Sequence, residues 1–298
     1  MALFTEQETK PDHEKMITLV IDADSLIYEA AYLGDKHYRG IESSSGVFQG
    51  LQRSLLEDQI EILEDRVSTI QAQVAGALAP HRIGIEKVIP LFTPKASACK
   101  EAGEPYNFRY ALIDEFNSKY KEDIPGYKAN RATQQPLPNM AELYAHAAQL
   151  ENAVMCWGCE ADDVAYRMKI DDPDGVIIAC KDKDVYSGTP TFSLGHFNFG
   201  RYEWVHTTED EANLFYYRQC MTGDRSDGIK GIYRFGIKTA EVVLPKWLGH
   251  EESWAVVEAT FIKYGYTKEY ALLMMRLVNL NSLDERLKVQ LWKPRWIS

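Results

Sequence analysis

No apolar run in the 298 residues approaches the length that crosses a bilayer, so the sequence predicts a soluble chain. There is no secretory apolar leader either, and five cysteines, an odd number, make a poor disulfide framework. Both absences predict a reducing, cytoplasmic setting. The seven histidines are scattered without metal-ligand spacing, so a histidine-based zinc site is not expected. Positive charge is short: 33 Lys and Arg against 44 Asp and Glu leave −11, and no broad basic surface follows from that balance. The deficit gives no support by itself to nucleic-acid binding. It does not exclude it, because an acidic cation-binding site lowers the count without reporting on local patches. A hydrophobic content of 45% is enough for a full core, in one large domain or two smaller ones.

The acids are not spread evenly. An apolar run, Ala153 to Trp157, stops at Gly158 and is followed at once by Glu160, Asp162 and Asp163. A second run, Val176 to Cys180, ends in Asp182 and Asp184. Short apolar runs bounded by turn residues predict buried strands of a parallel sheet, and ligands bind at the carboxyl ends of such strands. Acids released there crowd one small space. Two like charges about 4 Å apart repel by roughly 1 kcal/mol in water and roughly 4 kcal/mol at an effective dielectric near 20. The cluster therefore needs counter-cations, and all-oxygen ligands favour Mg²⁺ or Mn²⁺.

The first strand predicted, Ile17 to Ile21, also ends in acids, Asp22 and Asp24, before a helix that opens at Ser25. Alternate positions of an extended segment share a face, so the pair can act together. An N-cap aspartate and a turn would explain this pair alone, but three strand ends carry the same device. Apolar residues from Phe48 through Leu55, Leu63, Ile70 and Val74 to Leu78 recur at mostly helical steps, predicting one long amphipathic helix over Val47 to Leu78. Val88 to Phe92 reads as a short strand that Pro90 places at an edge or a bulge. Met140 to Gln149 is predicted as a short helix, Tyr202 to Val205 as a strand, and Thr207 to Glu211 as a capped helix start. Residues 246–298 look like helical cover.

Residues 93–140 are polar, aromatic and locally basic, with Lys95, Lys100, Arg109, Lys119, Lys121, Lys128 and Arg131 among Tyr106, Phe108, Tyr110, Phe116, Tyr120 and Tyr127. That mixture suits single-stranded nucleic acid, although a solvated surface insertion is the commoner origin of such composition. Cys156 and Cys159 form a C-x-x-C, but neighbouring carboxylates oppose a reactive thiolate, so both read as packing residues. Farther on, Asp224 and Asp227 lie three apart, a spacing that shares one face if the backbone turns helically. Gly236 to Ala240 then opens a helix whose N–H groups can hold a phosphate, with Lys238 adding charge. Gly231 and Gly236 have P-loop separation, but Ile237 intervenes before the lysine and the nucleotide reading fails.

Taken in order, VIDADSL, GYKANR, GCEADDVAY, CKDKDVYS and TGDRSDGIKGIYRFGIKTA resemble the motifs of the 5′-nuclease (flap endonuclease) family, most of all the 5′→3′ exonucleases of T-odd bacteriophages. The resemblance spans Ile17 to Leu244. It implies an α/β fold with a mostly parallel central sheet (a PIN-like core) flanked by helices, a helical arch over about 93–140, and a helix–three-turn–helix segment over about 221–244. The corresponding domains are a nuclease core, 1–205, and a C-terminal helical region, 206–298. Asp22, Asp24, Glu160, Asp162, Asp163, Asp182, Asp184, Asp224 and Asp227 match metal-ligating positions, for two Mg²⁺ or Mn²⁺ ions. Lys128 and Arg131 match catalytic cations at the base of the arch, with Tyr127 beside them. Gly231, Gly236, Lys238 and Thr239 match the element that grips duplex phosphates and, in relatives, K⁺. The implied activity is metal-dependent 5′→3′ exonuclease or 5′ flap endonuclease cleavage of DNA at 5′ ends, flaps, nicks or gaps, with RNA–DNA hybrid a further substrate class. Relatives carry an aspartate just after the second strand, where this chain has Phe92-Thr93-Pro94; either Asp114 replaces it or the position is lost. The rivals are a PIN-type ribonuclease and a non-catalytic, structure-specific DNA-binding protein.

Overall fold

The structure, a computed structural model, describes residues 14–44, 55–131 and 137–294. At its centre is β1 (Lys15–Asp22), whose Ile17, Leu19, Val20 and Ile21 are all at most 1% exposed. A strand apolar on both faces belongs inside a parallel sheet. β1 pairs in parallel with β2 (Ile83–Phe92) on one side and β4 (Val176–Cys180) on the other. The two-residue β3 (Val154–Met155) extends the sheet beyond β2. β5 (His196–Asn198) runs parallel to β4, and β6 (Glu203–Val205) returns antiparallel to it. The six-stranded order is β3-β2-β1-β4-β5-β6.

Alternation splits the strand residues between two faces. Ile17, Leu19 and Ile21 of β1 and Ile177 and Ala179 of β4 pack under α1 (Asp24–Ser44), α2 (Leu55–Leu78) and α5 (Met140–Ala147), against Ile27, Leu63, Ile70 and Leu143. Val20, Ile178 and Cys180 face α6 (Ala161–Asp171) and Tyr216 of α8 (Glu209–Thr222). Each fully buried Leu or Ile contributes roughly 1.5–3 kcal/mol. A third core fills the C-terminal region, where Trp254, Phe261 and Met274 join α10 (His250–Lys263) and α11 (Lys268–Val278) to α8 and the short α9 (Ile237–Val243).

Two expectations change in part, and a third lies partly outside the described residues. Of the two settings expected for Pro90, the edge is not found, because β2 is internal, but the bulge is: Ile17 and Thr18 of β1 pair with Ile85 and Lys87, leaving Glu86 as an extra residue in β2. β3 reaches only Leu91 and Phe92, so no partner strand on that side needs the N–H that Pro90 lacks. The helix predicted from Val47 is described only from Leu55; Phe48 and Leu51 lie outside the described residues. The basic, aromatic segment after β2 neither stands free nor floats as a solvated insertion over its described part. It forms α3 (Ala96–Ala102) and α4 (Phe108–Tyr120), and Arg109, Ile113 and Phe116 make a buried stripe at helical spacing. Ile113 and Phe116 belong to the C-terminal core. No helix among the described residues is long and apolar enough to cross a membrane.

His196 is fully buried in β5, with one ring nitrogen 2.9 Å from the Thr189 carbonyl and Nδ1 without a partner. Burial pushes its pKa from 6.5 down to about 4. The unfolded chain therefore binds this proton first, and the stability that neutral His196 supplies is whole above pH 6.5 and lost as pH falls towards 4. Urea denaturation should show His196→Gln losing about 2 kcal/mol less stability than the parent between pH 7.5 and 5. Equal losses in both proteins would contradict it.

Candidate active site

Parallel strands end on one side of the sheet, and the acids after β1, β3 and β4 are released there together. Each also has a local helical job. Asp24 begins α1. Glu160 is the residue before α6, its N–H donating to Asp163 Oδ2 at 3.0 Å. Asp182 caps α7 (Lys183–Gly188), accepting from Asp184 N at 2.8 Å. Helix N-termini carry partial positive charge, which offsets part of the repulsion among these carboxylates. Capping and clustering therefore coincide at Glu160 and Asp182, whereas Asp24 lies inside α1 and accepts from Thr93 N instead.

Asp22, Asp24, Glu160, Asp162, Asp182, Asp184 and Asp227 line one cleft of about 320 Å³, with Lys128, Arg131, Ser25, Tyr28 and Lys181. Asp163 and Asp224 stand behind it. Both carboxylate oxygens of the fully buried Asp163 are held by Arg109, at 2.6 and 2.7 Å. Asp224 accepts from Ser226 N at 2.6 Å, from Gln219 at 3.1 Å and from Lys183 at 3.2 Å. Its loop closes where Gly223 and Gly231 touch: both have positive φ, and a Cβ on either would lie 2.3 Å from backbone of the opposite side.

The GYKANR segment docks on that loop. Lys128 N donates to the Asp227 carbonyl at 2.8 Å, and Arg131 Nη2 reaches Asp227 Oδ1 at 2.7 Å. Lys128 itself holds a left-handed φ of 54°, a conformation uncommon outside glycine and asparagine and sustained here by its surroundings. Its ammonium pairs with Glu160. The buried Tyr127 hydroxyl lies 2.7 Å from Glu160 Oε2 and 2.6 Å from Asp227 Oδ2, bridging two acids from distant parts of the chain. Gly231 and Gly236 line a separate groove with Tyr233 and Tyr266, and Lys238 and Thr239 are exposed at the start of α9.

The protonation pattern follows this geometry. Burial, then Asp24 and Asp182, raise Asp22 to about 8. Burial raises Asp24 to about 6 against hydrogen bonds from Thr93, and raises Asp184 to about 7 with help from Asp182. Asp162 is raised by burial and by Asp163. Glu160 goes the other way: against its burial, Lys128 and Arg109 hold it at about 2. Among the described residues no three His, Cys, Asp or Glu side chains converge into a ready metal cage. The reason is visible in the pairing: Lys128 takes Glu160, Arg109 takes Asp163, and Arg131 takes Asp227. The acids that remain have less positive charge beside them: Lys183 Nζ lies 3.4 Å from Asp184 Oδ1, but burial and Asp182 outweigh it. An all-oxygen set of this kind fits hard divalent cations.

Some expectations are revised here. Asp114 is exposed on α4 and does not line the cleft, so it does not replace the missing acid. Thr93 occupies that corner, its N–H donating to Asp24 Oδ1 at 2.7 Å and its hydroxyl accepting from Ala161 N at 2.9 Å. Arg109 is not a surface cation but is 1% exposed. Its spacing to Ile113 and Phe116 was the available signal; Lys181 lay inside the CKDKDVYS motif and Thr93 beside Pro94 at the position of the absent acid, though neither was singled out as a site residue. Cys156 and Cys159 are buried and free, with thiol pKa values raised by burial, as packing residues would be.

Among the described residues a mostly parallel six-stranded sheet is flanked by eleven helices, and this fold is similar to that of the phage T5 5′-nuclease. In particular, the chain matches the crystal structure of the T5 D15 protein co-crystallised with metal ions, with a TM-score of 0.52 and 17% identity over 88% of this chain and 89% of that one. A T5 D15 flap endonuclease variant in complex with DNA and metal ions matches at 0.49 and 16%, over 88% and 89%. A T5 5′-exonuclease mutant matches at 0.48 and 16%, over 90% and 89%. No protein-family model and no curated protein sequence matches the chain.

The ionised form of Asp22 is disfavoured in the fold, so its contribution to stability is full below pH 3.8 and lost as pH rises through about 8. In EDTA, Asp22→Asn should melt at least about 3 °C above the parent at pH 8.5, with a smaller gap at pH 5. A gap that shrinks as pH rises would refute this charge balance.

Proposed function

We propose that this protein is a divalent-cation-dependent nuclease that cleaves DNA phosphodiesters near 5′ ends and single-strand/duplex junctions, as an exonuclease or flap endonuclease. The observation that carries the reading is the set of carboxylates from β1, α1, α6, α7 and the 224–228 loop facing one cleft with Lys128 and Arg131. Nothing about packing requires so many acids in one place, and burial without cations is costly. The likeness to the T5 D15 protein, crystallised with metal ions, supports the same reading through the fold.

In this reading Asp22, Asp24, Glu160, Asp162, Asp182, Asp184 and Asp227 hold Mg²⁺ or Mn²⁺, with Asp163 and Asp224 behind them. When bound, two such ions supply an activated water and stabilise the leaving 3′ oxygen. Lys128 and Arg131 turn from Glu160 and Asp227 towards the scissile phosphate and stabilise its developing charge. Tyr127 keeps Glu160 and Asp227 in register. Exposed Lys230, Arg234, Lys238 and Thr239, around the turn glycines Gly231 and Gly236, grip duplex phosphates without reading sequence. K⁺ at this turn and RNA–DNA hybrid as substrate belong to the same proposal.

One observation favours a second reading, a non-catalytic junction-binding protein: Pro94 stands where the resemblance expects an acid, and no preformed cage exists among the described residues. Cleavage of end-labelled flapped and nicked duplex, with and without Mg²⁺, separates the two. Asp162→Asn and Asp184→Asn should each lower the cleavage rate by at least about 10³-fold while duplex binding in Ca²⁺ persists. Turnover near the parent value in either variant would sink the cation-based account.

A further inference from the structure

The mechanism leaves unused a buried cation whose side chain donates four hydrogen bonds. Arg109 is 1% exposed, and its guanidinium forks onto Asp163 at 2.6 and 2.7 Å. Its Nε donates to the Leu277 carbonyl at 2.9 Å and Nη2 to that of Asn279 at 3.3 Å, at the C-terminal end of α11. Nη1 lies 3.8 Å from Glu160 Oε2. The rings of Phe108 and Tyr127 flank the guanidinium, at 4.7 and 5.9 Å. One side chain thus joins α4, the start of α6 and the end of α11.

What it grips matters more than how tightly. Asp163 also accepts the Glu160 N–H at 3.0 Å, so its oxygens are spent on holding the first turn of α6. That turn presents Glu160 and Asp162 to the cleft. A planar fork fixes a carboxylate in both position and rotation, which a point charge does not. The carbonyls at the end of α11 supply a fixed anchor and the partial negative charge of a helix C-terminus.

We propose that Arg109 is a positioning residue for the carboxylate cluster: it locks Asp163, and through it the placement of Glu160 and Asp162, against the C-terminal end of α11. Asp163 then serves as Arg109's anchor rather than as a direct holder of a cation. The proposal deepens the nuclease reading and rests on it.

Arg109→Lys keeps the charge and removes the fork. Assayed well below its melting temperature, it should lose kcat by roughly 10- to 100-fold, and Mn²⁺ affinity measured by calorimetry without DNA should weaken to a similar degree. KM for flapped duplex should stay within about three-fold of the parent. Asn107→Ala is the second variant, since Asn107 Oδ1 caps α4 by accepting from Arg109 N at 2.9 Å. It leaves every cleft side chain intact and should lower kcat by about three-fold or more with KM unchanged. A merely structural pair would move the melting temperature and leave kcat and Mn²⁺ affinity alone. Parent-like values of both in the folded Arg109→Lys protein would overturn the proposal, and if that variant fails to fold, parent-like values in Asn107→Ala would do so. Absence of Mg²⁺-dependent cleavage by the parent would instead refute the nuclease reading, and the Mn²⁺ affinities would still decide the role of Arg109.

Discussion

Like-charge repulsion at the carboxyl edge of the sheet is the constraint around which this molecule is arranged. Every element that touches that edge relieves part of it. Helix N-termini face Asp24, Glu160 and Asp182; Lys128 and Arg131 arrive on a short turn; the Tyr127 hydroxyl bridges Glu160 and Asp227; Arg109 neutralises Asp163 from behind. The relief is incomplete. Asp22, Asp24, Asp162 and Asp184 stay above the usual carboxylate range because burial and neighbouring acids outweigh the positive charge that Lys128, Arg109 and Lys183 bring near them. The charge left over at this edge is what the proposed cations would offset.

The basic side chains near the site play two different parts, separated by burial. Lys128, half-buried with a left-handed backbone, faces the cleft and is held by groups that cations would compete for. Arg109, on the other side of the same turn of α6, has no route to solvent and no group to exchange for. The first arrangement is open to the cleft; the second is closed off from it. Both guanidinium and ammonium count equally in a net charge of −11, which is why that number said little about the site.

Much of the fold was legible because it is local. β4 was readable from five apolar residues between turn signals, and it forms with the same bounds. The start of α8 was readable from Thr207 to Glu211; Thr208 caps it, with Glu211 N donating to its hydroxyl at 3.2 Å. β5 was missed because His196-Phe-Asn is three residues long and owes its extended form to pairing with β4. Pro90 misled only as to the edge, because a two-residue neighbour leaves an internal strand partly edge-like; the bulge that was its alternative is present in β2 at Glu86. The stripe Arg109, Ile113, Phe116 was hidden because its first member is charged, and a charged residue reads as surface until its partner is known.

The chemistry of the site was written in the chain itself. Acids placed directly after apolar runs must emerge at strand ends, and parallel strands put those ends on one edge; backbone direction and side-chain type suffice for that inference. Which acids face the cleft was decided only in three dimensions, because Asp162 and Asp163 are neighbours in sequence yet a helix turns them apart, one towards the cleft and one onto Arg109. The role of Arg109 needed partners from α6 and α11, more than fifty and more than a hundred and sixty residues away (|i−j| of 54 and 168), and no local pattern encodes a bond across such distances.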